Sequence, residues 1–205
     1  MIRYFQWFGL PGAVVLTLLM SALALILALC KPSLVQWFCF CAMALSSVGD
    51  IFLANIDRLK KAFPNYFVIG AAFFMAAHLM YILCFAFKIH GANTPFWNTG
   101  AIFALLAGLL TIALLAKTCS TQNMTGFILI VIYGLIITAN LTTVFSYACS
   151  QGLRSVSAVS AAIGVVSFLL SDVIIGLGIA GNIHQYDHLI WWLYPIGQIL
   201  LILSV

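Results

Sequence analysis

Residues 156–180 read VSAVSAAIGVVSFLLSDVIIGLGIA, an apolar run of 25 positions with one charge in it, Asp172. A bilayer's hydrocarbon core takes about 20 consecutive apolar residues in a helix. The run is long enough to span, and the same pattern recurs from one end of the chain to the other. Cutting at polar residues, Pro and Gly gives seven such stretches, at about 10–29, 34–54, 66–87, 97–116, 125–148, 156–180 and 188–205. The joints between them are short: Lys31-Pro32, the Asp57-Arg58-Leu59-Lys60-Lys61 cluster with Pro64, His90 to Pro95, Lys117 to Asn123, Gln151 to Arg154, and Gly181 to Asp187. Composition agrees, since 65% of the 205 residues are apolar and 6% charged, against roughly 45–50% and 25% in a soluble domain. The expected fold is all-α, a polytopic transmembrane helix bundle of about seven spans, forming one integral membrane domain over 1–205.

Charge follows membrane logic. Eight Lys and Arg against four acids give a formal net charge of +4, and the cations are scattered along the chain with no basic face, which excludes nucleic acid as a partner. With seven spans, one side receives Arg3, Arg58, Lys60, Lys61 and Lys117, the other Lys31, Lys88 and Arg154. Cytoplasmic loops collect Lys and Arg, so the bias puts the N-terminus inside and the Arg58/Lys60/Lys61 cluster in the cytoplasm. Trp7, Trp37, Trp97, Trp191 and Trp192 fall near span ends, where indole rings rest at headgroup level. The first run is expected to be a retained signal-anchor helix; Leu27-Ala28-Leu29-Cys30 lacks the small residue that lipoprotein processing needs before the cysteine. Cys30, Cys39, Cys41, Cys84, Cys119 and Cys149 form no C-x-x-C pair and read as small apolar fillers.

An ionisable group in the bilayer centre costs about 2.5–3.5 kcal/mol even on generous scales, so an intramembrane acid suggests a function. There are two. Asp50 lies in Ser46-Ser47-Val48-Gly49-Asp50-Ile51-Phe52-Leu53, roughly 6 Å from the inner end of the second span, and Asp172 roughly 10–12 Å from the inner end of the sixth. Both fall in one leaflet. His78 and Tyr81, Tyr133 and Asn140, and Tyr194 and Gln198 are spaced to share helix faces. Turned inward, these faces would enclose a polar pocket in the cytoplasmic half, walled by Phe and Leu and suited to an amphiphile. Structural readings stand beside this one: a carboxyl near a helix end can snorkel or bond to serines, and the remaining polar groups can glue helices together. Ser160, Gly164, Ser167 and Ser171 form a small-residue stripe for close packing, and Asp57, among cations, is a solvated loop charge. His184 and His188 have the i, i+4 spacing of metal ligands beside Asp187, but no third strong ligand is near in sequence.

These residues carry a resemblance. Ser47-Val48-Gly49-Asp50-Ile51-Phe52-Leu53, Ala77-His78-Leu79-Met80-Tyr81, Phe168-Leu169-Leu170-Ser171-Asp172 and Tyr194-Pro195-Ile196-Gly197-Gln198-Ile199-Leu200-Leu201-Ile202, in this order and spacing, resemble the YhhN-type lysoplasmalogenase family of integral membrane proteins. Family members commonly have a further helix at the start, so eight spans stands beside seven as the count. The resemblance implies hydrolysis of the vinyl-ether bond of lysoplasmalogens to a fatty aldehyde and glycerophosphoethanolamine or glycerophosphocholine. Carried over by motif, Asp50 and Asp172 are the catalytic pair, with His78, Tyr81, Tyr194 and Gln198 binding substrate around them; Tyr133 and Asn140 join the binding set from their facing alone. One acid and one base suffice for this chemistry, with Asp172 expected as the acid and Asp50 as the base. No metal, nucleotide or redox cofactor is called for, and the partners are the lysophospholipid substrate and membrane lipids. The expected location is a bacterial inner (plasma) membrane, with the active site toward the cytoplasmic leaflet. Two other classes compete: a zinc-dependent seven-helix lipid hydrolase using His184 and His188, and a non-enzymatic lipid or proton-coupled transporter using the two acids as proton sites.

Overall fold

A computed structural model describes residues 6–7, 10–54, 56–118 and 124–205. Arg3 and Cys119 lie outside the described residues. Gln6–Trp7 pairs antiparallel with Leu10–Pro11, two residues each, and among the described residues each later element is a helix: α1 (Gly12–Cys30), α2 (Leu34–Leu53), α3 (Asp57–Ala62), α4 (Tyr66–Gly91), α5 (Thr99–Thr118), α6 (Met124–Ser150), α7 (Val156–Gly181) and α8 (Asp187–Leu203). Six of these helices are long and apolar enough to cross a membrane. The seventh expected span is α8, 17 residues long, at the short limit of the ~17–25 that suffice. The eighth helix is α3, a six-residue helix in what reads from sequence as a charged loop. Its exposed Asp57 stands in the first turn and Lys60 and Lys61 in the last, the arrangement that the helix dipole favours.

The helix ends have local causes. Ser33 and Ser155 accept hydrogen bonds from the backbone N–H groups of Gln36 and Ala158, each at 3.1 Å, capping α2 and α7. Asn98 Oδ1 does the same for α5, accepting from Ala101 N at 3.0 Å. Asn182 ends α7 in the left-handed region at φ 55°, which Asn tolerates better than most residues. Pro195 sits inside α8, where a soluble helix would break.

The chain falls into two compact units, 1–84 and 85–205, with α4 running through the division. In the first unit α1 packs on α2. Ser47 Oγ donates to Thr17 O at 2.9 Å and bonds Ser21 Oγ at 2.7 Å, so hydroxyls bridge helices in the manner of membrane proteins. α2 also meets the first half of α4 across two glycines. A Cβ on Gly49 would lie 3.2 Å from Gly70 O, and one on Gly70 3.3 Å from Gly49 O, so the two backbones touch.

In the second unit α5 packs on α6, α6 on α7 and α7 on α8, with α5 also reaching α7. Of the small-residue stripe of α7, Gly164 makes the close packing expected. A Cβ on Gly164 would lie 3.1 Å from Gly197 O, and one on Gly197 3.0 Å from Gly164 O. Lys88, read from sequence as a loop charge, is part of the packing instead. Its ammonium donates to Ser204 O at the end of α8 and lies 4.5 Å from the centre of the Tyr147 ring. Ser157 Oγ donates to the same carbonyl, and Tyr147 Oη lies 2.9 Å from Ser157 Oγ.

Candidate functional site

The expected site residues divide between the two units: Asp50, His78 and Tyr81 in the first, and Tyr133, Asn140, Asp172, Tyr194 and Gln198 in the second. Burial divides them differently. Asp50, Tyr133, Asp172 and Tyr194 are half-buried, whereas His78, Tyr81, Asn140 and Gln198 are sealed inside the packing.

In the first unit Asp50 is three residues from the end of α2, about 4–5 Å along the axis. Gly49 holds its backbone against Gly70 of α4, so the glycine before the acid is what lets the acid's helix approach its neighbour. The serines before it part company. Ser46 lies one turn back and fully buried, while Ser47 is committed to Thr17, Ser21 and Met43. Ser47, three residues before Asp50, thus turns its hydroxyl to α1 and to its own helix, because a hydroxyl at a helix seam finds its acceptor across the seam. His78 and Tyr81 share a face, but they lie eight and eleven residues beyond Gly70, about 12 and 16 Å deeper along α4 than the level of Asp50.

The second unit brings expected residues into direct contact. Asp172 lies nine residues before the end of α7, and Tyr133 is nine residues from the start of α6; both are about 13–14 Å in from their helix ends. Tyr133 Oη donates to Asp172 Oδ2 at 3.2 Å. One turn before Asp172, the buried Phe168 meets Tyr194 of α8 edge to face, with ring centres 5.4 Å apart. Asp172 and Tyr133 thus meet where α6 packs on α7, and Tyr194 of α8 meets α7 one turn away. Asn140 lies seven residues past Tyr133, about 10 Å further along α6, and Gln198 one turn past Tyr194.

Sequence reasoning missed the side chains that hold α6 and α7 together here, Ile112 and Leu115 of α5, which fit against Gly134 and Gly176. Apolar residues in an apolar helix carry no mark of such a role. The α7–α8 connection has its own network: His184 Nδ1 is 3.1 Å from Asp187 Oδ2, and Nε2 is 3.1 Å from Asn182 Oδ1. Both ring nitrogens of this exposed histidine are engaged locally. Among the described residues no three His, Cys, Asp or Glu side chains come together as a metal site would need.

Chemically, the second unit offers a carboxyl group held by a phenol, one turn from a Phe168–Tyr194 ring pair, and the first offers a carboxyl near a helix end beside a tight helix crossing. Compared with known proteins, the chain matches the model of the YhhN family over residues 12–205. No curated protein and no solved structure matches it.

Proposed function

The chain belongs to the YhhN family, and from that premise we propose that it is a membrane lysoplasmalogenase, hydrolysing the vinyl-ether bond of lysoplasmalogens with Asp50 and Asp172 as acid–base pair. The observation that carries the reading is that a chain with four acids in 205 residues sets two of them inside apolar spans, each within a family-like motif. Charged groups at such positions are retained against a cost of kcal/mol.

Asp172, the deeper of the two, gives its proton to the alkene carbon of the substrate, and the ether oxygen shares the positive charge of the resulting oxocarbenium ion. Asp50, near the interface, takes a proton from water as that water adds to the carbon, giving a hemiacetal. Collapse breaks the carbon–oxygen bond: Asp50 passes its proton to the departing glycerol oxygen, the hemiacetal hydroxyl gives its proton to Asp172, and the aldehyde leaves with both carboxyls restored. The sum is one water consumed, one aldehyde and one glycerophospho-alcohol formed. His78, Tyr81, Tyr133, Asn140, Tyr194 and Gln198 form the polar surroundings, the chain of the lipid lies among Phe and Leu, and the headgroup stays at the cytoplasmic interface. That orientation follows from the Arg58/Lys60/Lys61 cluster.

Purified protein in detergent is expected to release fatty aldehyde from a lysoplasmalogen, and none from saturated ether or ester lysolipids. Folded Asp50→Asn and Asp172→Asn variants should each lose turnover by about a hundredfold or more. No aldehyde from folded parent protein would refute the assignment. Unchanged turnover in either variant would remove that aspartate from it.

A further inference from the structure

Tyr133 and Asp172 meet between two helices whose spacing a third helix sets. Ile112 and Leu115, three residues apart on α5, point to one side. A Cβ on Gly134 would lie 2.6 Å from Ile112 Cγ1, and one on Gly176 3.2 Å from Leu115 Cδ1. Gly134 follows Tyr133 directly, and Gly176 is one turn beyond Asp172. Each α5 side chain therefore seats in a glycine notch beside one member of the pair, fixing α6 and α7 where the phenol reaches the carboxyl.

An aspartate carboxyl turns broadly about its last torsion, so delivering a proton in one direction requires that something fix its plane. The phenol O–H on Oδ2 does so. We propose that Tyr133 is a positioning residue rather than a substrate contact: it anchors Oδ2 so that Asp172 exchanges its proton through Oδ1. The role rests on the lysoplasmalogenase reading for the substrate, but not for the anchor. In the protonation step the Oδ1–H bond breaks, a C–H bond forms on the alkene carbon and its π electrons, and the bond's electron pair stays on the carboxyl. Tyr133 then donates to a carboxylate, a stronger hydrogen bond than the one to the neutral acid. The contact thus favours the transition state over the ground state.

Two measurements on the full-length protein test this. The infrared band of the Asp172 carboxyl, identified by its loss in Asp172→Asn, is expected to shift in Tyr133→Phe. On a lysoplasmalogen, kcat of Tyr133→Phe should fall about ten- to a hundredfold with KM changed less than about twofold. An unmoved band in folded Tyr133→Phe overturns the anchor. A raised KM with unchanged kcat overturns the positioning role, because it marks a substrate contact. If the parent releases no aldehyde, the function is wrong, yet the infrared arm still decides the anchor because it needs no substrate. Should Tyr133→Phe not fold, the bond is read from its other end: the phenol C–O stretch of labelled tyrosine moves in Asp172→Leu if the bond exists, and an unmoved stretch overturns it.

Discussion

Single residues in this protein matter chiefly where two backbones touch. Gly197 is the sharpest case, because a Cβ there would meet Gly164 O and Phe168 N, each at 3.0 Å, and backbone atoms cannot step aside. Gly197→Ala is expected to destabilise by about 1–3 kcal/mol, the usual cost of overpacking, read as a lower midpoint in detergent-induced unfolding. Gly91, at the end of α4, meets nothing within 4 Å of an added Cβ. Gly91→Ala should therefore leave the midpoint unchanged or raise it by up to about 1 kcal/mol, since alanine loses less backbone entropy on folding. Gly197 and Gly164 both stand in stretches picked out from sequence, but their contact with each other is not legible there. A small residue announces that there is room for a close approach, not what fills it. Ser47 teaches the same lesson for polar groups, since it stands three residues from Asp50 and its hydroxyl goes to Thr17.

Elements were the most legible level. The starts and ends of the expected spans agree with the helices to within a few residues because each is decided locally, by the cost of placing polar groups in lipid and by caps such as Ser33 and Ser155. The charged joint hid α3, whose helical turn and a half is too short to leave a period in the sequence. The end of α8 was hidden too. Four groups on four helices converge there, Lys88, Tyr147, Ser157 and Ser204, and the ammonium satisfies a carbonyl that the helix end leaves without an intrahelical partner. Lys88→Met should loosen that end by about 1 kcal/mol, a half-exposed hydrogen bond to a charge. Hydrogen exchange in residues 200–205 would then rise while exchange through α7 stays as in the parent. Aldehyde release should persist, because Lys88 lies far along its unit from Asp172. Equal exchange in both proteins would show that the clamp contributes nothing.

At the scale of the whole molecule, the distribution of cations predicts topology. In a cysteine-free background, Lys60→Cys is expected to resist a membrane-impermeant thiol reagent in intact cells, and Arg154→Cys to react. The reverse pattern would invert the chain and move Asp50 and Asp172 to the outer leaflet. The sequence alone determined that this chain lives in lipid, where its long apolar helices run and which acids sit inside those helices. Those properties are sums over one stretch at a time, and the transfer cost of each residue is fixed by its own chemistry. Tertiary structure alone decided which polar groups meet. It gave Ser47 to α1, drew Lys88 into the end of α8 and set Tyr133 against Asp172, while leaving His78 and Tyr81 well below the level of Asp50. Such pairings depend on the register and rotation of one helix against another, which glycine notches and the side chains seated in them fix, and no single stretch of sequence contains that relation.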